Sequence, residues 1–145
     1  QSLVSPSPHS QARRTVVGID GGRLATILAV LEAHCKILFS NYDVYLNVAG
    51  GLRVSEPAAD LAIAAAILSS KQGIVLPLNT IIFGEISLSG SLRPVSQVEN
   101  RIREAKKLGF KGAIISKGKK KVEQSLIEIT EFEDINAFIN KLSLK

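Results

Sequence analysis

The stretch Ser55–Ser70, SEPAADLAIAAAILSS, decides how the chain is read. From Leu61 to Leu68 every residue is apolar, so a helix here is enclosed on most of its sides. Pro57 suits the first helical position, where an N–H would have no partner in any case. Asp60 falls in the first turn, where the helix dipole favours a carboxylate. A helix over 57–70 is about 21 Å long, too short to cross a bilayer, which takes ~20 apolar residues. It reads as a core helix with a capped start, and a core helix requires layers around it.

Those layers are legible on both sides. Upstream, RTVVGI (Arg14–Ile19) is β-branched and reads as a strand. Asp20 is placed to cap a helix over about Gly22–His34, with Leu24, Leu28, Leu31 and Cys35 on one face. DVYLNV (Asp43–Val48) is a second strand, closed by a Gly50-Gly51 turn. Downstream, TIIFGEI (Thr80–Ile86) reads as a strand, and Leu88–Val95 as a turn and a further strand. A helix over Gln97–Leu108 follows, with Val98, Ile102, Ala105 and Leu108 as its stripe and Gly109 as a left-handed cap. Lys111–Ile115 and Leu126–Ile129 are short strands. Thr130 and Glu133 have the spacing of a capping box before a last helix carrying Phe132, Ile135, Ile139 and Leu142. The opening QSLVSPSPHSQ is Ser- and Pro-rich, so residues 1–12 are expected to be a linker and 13–145 the domain. The fold class is α+β, a layered mixed sheet with helices.

The totals agree with one domain holding an aliphatic core: 145 residues, 46% hydrophobic and 5% aromatic. The single cysteine, Cys35, cannot form an internal disulfide, which fits a reducing compartment. No methionine is present, even at position 1, which reads as a piece of a longer chain. The net charge of +5 is uneven. Arg101 to Lys121 holds nine Lys/Arg and one acid, Glu104, a surplus of 8, so the remainder sums to −3. Such asymmetry points to a polyanion-facing surface.

A search for chemistry leaves little. GIDGGR (Gly18–Arg23) sits between strand and helix but lacks the Lys and hydroxyl of a phosphate-binding loop. His9, His34 and Cys35 do not make a zinc set. Neither histidine is placed as the base of a Ser-His-Asp site. A Ser-Lys dyad needs a serine at a helix start and a desolvated lysine.

Here the residues resemble a known family. The proteolytic domain of Lon proteases begins its nucleophile helix Asp-Gly-Pro-Ser-Ala-Gly, and this chain has Ser55-Glu56-Pro57-Ala58-Ala59-Asp60. The prolines align, and the serine position is Ala58. The Lon lysine follows Gly-Glu-Ile-Thr-Leu-x-Gly and ends Pro-Ile-Gly-Gly-Leu-Lys. This chain has Gly84-Glu85-Ile86-Ser87-Leu88-Ser89-Gly90 and then Pro94-Val95-Ser96-Gln97-Val98-Glu99, so the lysine position is Glu99. The phrases RRTVVGIDGGRLATILAVLEAHC, DVYLNVAGGLRVSEPAADLAIAAAILSS and FGEISLSGSLRPVSQVENRIREAKKLGFKGAII are most similar to the RadA (Sms) family of bacterial DNA-repair proteins, over Arg13–Ile115.

The resemblance implies a Lon-type domain, similar to the second domain of a small-subunit ribosomal protein. It implies a non-proteolytic C-terminal module of a RecA-related ATPase that acts in recombination and branch migration. The family assembles as hexameric rings in the bacterial cytoplasm, binds single-stranded or branched DNA and acts beside a RecA recombinase. ATP with magnesium, and zinc, belong by resemblance to upstream domains, leaving this stretch with no cofactor, no metal and no membrane. Arg13, Arg14, Arg93, Arg101, Arg103 and Lys107 are the candidate DNA contacts. The alternative is a Lon-type serine peptidase with an atypical dyad, for which Ser55, Ser69, Ser70, Ser87, Ser89, Ser91 and Ser96 offer a displaced hydroxyl.

Overall fold

The computed structural model describes residues 1–123 and 126–143. Its first sheet has the order β1-β3-β2, with β1 (Ser2–Pro6) antiparallel and β2 (Arg14–Val17) parallel to β3 (Tyr42–Asn47). The second has the order β4-β7-β8, all parallel, from Thr80–Phe83, Gly112–Ser116 and Glu128–Phe132. A two-stranded ribbon pairs β5 (Glu85–Ile86) with β6 (Leu92–Arg93). The helices are α1 (Gly21–Cys35), α2 (Asp60–Gln72), α3 (Val98–Lys107) and α4 (Ile135–Ser143). The class is α+β, as the sequence indicates.

The aliphatic run becomes α2, with Leu61, Ile63, Ala64, Ala65, Ile67 and Leu68 buried. It packs against β1, β3, β4 and α1. Small residues let the strands approach closely, and Gly73 in the left-handed region closes the helix. The larger core gathers α1, α2, α4 and the first sheet around Phe39, Leu31 and Phe138. A smaller core lies between α3 and the second sheet, built on Ala58, Phe83, Ile102, Ala105, Ile115 and Ile129.

Four local expectations are corrected. The segment read as a linker contains β1: Val4 turns toward the core, its amide donates to Ser70 Oγ at 2.8 Å, and Ser2 Oγ donates to the Tyr45 carbonyl at 3.0 Å. Its Ser and Pro are tolerable because an edge strand needs only one row of backbone bonds. Thr80–Ile86 is not one strand, because Gly84 breaks it between two sheets. The strand expected within Leu88–Val95 shortens to Leu92–Arg93. The last helix is capped by Asp134, whose Oδ1 accepts from the Ala137 amide at 2.8 Å, while Thr130 lies inside β8.

The Asp20 cap stands, with its side chain accepting from the Arg23 amide at 3.1 Å. The turn before it depends on Gly18, at φ +85°, where a Cβ would lie 2.5 Å from the Leu52 carbonyl oxygen. Gly50, at φ +80°, faces open space. Gly18→Ala combines backbone strain with overpacking and is expected to cost about 3 kcal/mol in urea unfolding. Gly50→Ala carries only the strain, about 1 kcal/mol.

Candidate nucleic-acid interface

The start of α2 is held without a side-chain cap. Pro57–Ala59 form a 3-10 turn, and the Gly84 backbone clamps it: its amide donates to the Ala58 carbonyl at 2.8 Å and its carbonyl accepts from the Leu61 amide at 3.0 Å. Asp60, 1% exposed, accepts from Arg23 Nε at 2.6 Å, from a second nitrogen of that guanidinium, and from the Ile86 amide at 3.0 Å. The carboxylate in turn holds the Arg23 guanidinium above its ordinary pKa. Sequence reasoning saw in Asp60 only a dipole contact; its partner lies 37 residues away, and no local pattern signals it.

This joint occupies the place where the Lon resemblance puts chemistry. Ala58 is 2% exposed and its methyl packs in the smaller core. Glu99 is exposed in the first turn of α3 and lines a groove to which Ala58 does not contribute. The two dyad positions thus do not share one cavity. Several serines have structural roles: Ser69 Oγ donates to the Ile74 carbonyl, Ser70 Oγ accepts from Val4, and Ser87, Ser89 and Ser91 bond one another at 2.7–3.0 Å.

The candidate cations divide by what already holds them. Arg14 donates to the Phe39 carbonyl at 2.9 Å and also to the Tyr42 carbonyl, so it stitches β2 to the turn before β3. Arg101 donates to the Ser96 carbonyl at 3.0 Å, faces Glu56 at 3.5 Å and lies over the Phe83 ring. Arg13 uses its amide to bind Asp43 at 2.7 Å, leaving its side chain exposed. Arg93 is exposed beside Glu85 at 3.8 Å. Arg103 and Lys107, four apart on α3, are exposed with only loose partners, Asn100 at 3.4 Å and Glu104 at 3.6 Å. Arg14 belongs to the first sheet, with Arg13 just ahead of it, and Arg103 and Lys107 belong to the smaller core's helix. Lys106, Lys111, Lys119, Lys120 and Lys121, which the sequence counted without singling out, are exposed in the same basic segment. Lys117 is paired with Glu133 at 2.6 Å.

Among the described residues most aromatic side chains are wholly or partly buried, with Tyr45, Phe110 and Phe132 half-buried. Phe39 and Phe138 are fully buried, Phe83 is buried, and Tyr42 lies under Lys71 Nζ at 3.3 Å. Among the described residues, no group of three or more His, Cys, Asp or Glu could hold a metal ion, and no helix is long and apolar enough to cross a membrane.

Residues 23–119 match the family described as subunit ChlI of Mg-chelatase, and the chain belongs to that family. Its relatives include proteins named DNA repair protein RadA. The RadA of Brucella abortus is 60% identical over 118 residues, covering 81% of this chain and 25% of the relative. That of Synechocystis is 49% identical, covering 89% and 26%, and that of Rickettsia typhi 42% identical, covering 96% and 31%. The chain therefore spans between a quarter and a third of the length of these homologues.

Substitutions at two residues test the local chemistry. Asp60→Ala strands a guanidinium and the Ile86 amide, and is expected to lower unfolding stability by about 3 kcal/mol. Asp60→Asn, which keeps an acceptor for the amide, is expected to lose less. The Arg13 amide holds the Asp43 carboxyl below the usual carboxylate range, against the opposing pull of desolvation. A depressed folded pKa gives stability that is present above the unfolded value near about 3.9 and lost as pH falls through the folded value. Asp43→Asn should therefore be less stable than the parent at neutral pH, with the gap closing below about pH 4 in pH-resolved thermal melts.

Proposed function

We propose that this chain is the non-catalytic, DNA-contacting module of a RecA-related repair and recombination ATPase. It would work in the bacterial cytoplasm within a hexameric ring, beside a RecA recombinase. ATP, magnesium and zinc would be handled by other parts of the protein. The observation that carries this reading is the exposed basic surface of α3, the turn that follows it and the segment after β7: Arg103, Lys106, Lys107, Lys111 and Lys119–Lys121, with Glu104 the single acid between Arg101 and Lys121. The name DNA repair protein on the homologues supports it. With the cations outward and no aromatic side chain among the described residues fully exposed, the contact is to phosphates and not to bases. Peptidase chemistry finds no support at Ala58, a methyl group in a core, or at Glu99, an exposed carboxylate.

The structure refines which cations to test. Arg14 and Arg101 already serve the fold, so their replacement confounds binding with stability. Arg103 and Lys107 are clean positions. The expected result is that a labelled single-stranded oligonucleotide binds in fluorescence anisotropy with a steep salt dependence. If about four phosphates are engaged, affinity falls roughly 50-fold over a fourfold rise in salt. Arg103→Glu with Lys107→Glu should weaken binding about tenfold or more and leave the melting temperature unchanged. An absence of binding at low salt, or a double variant that binds like the parent, would overturn this reading.

A further inference from the structure

A groove of about 510 Å³ runs between the first turn of α3 and the segment that leaves β7. Its volume is within the range of small-ligand pockets, ~300–1,000 Å³. Val95, Val98, Ile115 and Val122 give it apolar walls, and Lys119, Lys120 and Lys121 line it as well. These lysines are exposed. Ser116, 2% exposed, also contributes to the lining, and its Oγ has no hydrogen-bond partner among the described residues. The α3 N-terminus opens beside it without a side-chain cap, Gln97 standing in the left-handed region at φ 61°. Its first-turn amides and dipole add positive potential.

These features select a class of partner. Aliphatic walls are of no use to a phosphate chain, and a base would find no aromatic or Arg side chain to stack on, since the lining contains none. Three lysines beside four aliphatic residues match an extended peptide that alternates acidic and aliphatic side chains. We infer that this groove is a docking site for an acidic, aliphatic peptide segment of a partner protein, with its carboxylates on Lys119–Lys121 and its aliphatic side chains against Val95 and Val98. Glu99 lines the same groove and opposes such a peptide, so it limits affinity. The inference shares Lys119–Lys121 with the DNA reading but is tested apart from it, because the DNA test rests on Arg103 and Lys107 of α3 and neither of these lines the groove.

The test is anisotropy with a fluorescein-labelled peptide, Asp-Leu-Glu-Val-Asp-Leu, titrated with the 145-residue chain. Saturable binding is expected. Lys119→Glu, Lys120→Glu and Lys121→Glu together should weaken it about tenfold or more, with the fold unaffected because all three are exposed. Glu99→Gln should tighten it by roughly threefold. Val98→Asp, confirmed folded by circular dichroism, should abolish it. A peptide in which Lys replaces each acid should not bind. The proposal falls if the acidic peptide does not bind saturably, or if lysine reversal leaves its affinity unchanged. It also falls if Val98→Asp leaves the affinity of the acidic peptide unchanged.

Discussion

Asp60 places a carboxylate in the interior at the head of a helix that is aliphatic from Leu61 to Leu68, and three elements converge on it. Arg23 comes from the first turn of α1, the carboxylate from α2, and the Ile86 amide from β5. A lone buried carboxylate would be far too costly. A guanidinium and an amide in good geometry offset most of that cost, and they do so only when all three elements are in register. The pair is therefore better understood as a positional constraint than as a source of stability. Beside it, the Gly84 backbone ties the 3-10 turn and the α2 start to the strand leaving the second sheet. The two cores meet at this joint.

The same joint shows what holds the chain path around Ala58. The turn at Ala58 is held by its carbonyl and by its methyl in the smaller core, neither of which requires a hydroxyl. Gly84 must approach closely: a Cβ there would lie 3.0 Å from that of Ser116. The residues that shape the turn are thus accounted for by packing and backbone hydrogen bonds. The exposed cations concentrate on the helix that covers the smaller core and on the segment after β7.

Much of this was legible from local pattern. The unbroken aliphatic run announced α2, Asp20 announced the α1 cap, and the stripe Val98, Ile102 and Ala105 placed α3 with its basic face outward, while Leu108, expected as the last member of that stripe, lies beyond the helix and is exposed. These signals are periodic or adjacent, so a single strand of text contains them. Other features are non-local. β1 hides behind Ser and Pro because strand formation there depends on an edge offered by β3 and a hydroxyl offered by Ser70. Arg14 and Arg101 read as free cations until the carbonyls of Phe39 and Ser96 are brought to them. Asp134 displaced Thr130 as a cap because β8 runs on past the expected strand end.

The pairing of β1 with β3 has a kinetic side. Ser2 lies opposite Leu46, and the intervening chain includes β2 and all of α1. Each neighbouring pair in the second sheet is parallel, and β4 and β7 are separated by a ribbon and a helix. Loops of this length must close before the strands they join return any free energy. A chain wired this way folds more slowly than a helical bundle of equal size. Until β3 is in place, Ser2–Pro6 is an unpaired edge, and its proline and serines then serve to keep it from pairing with another copy.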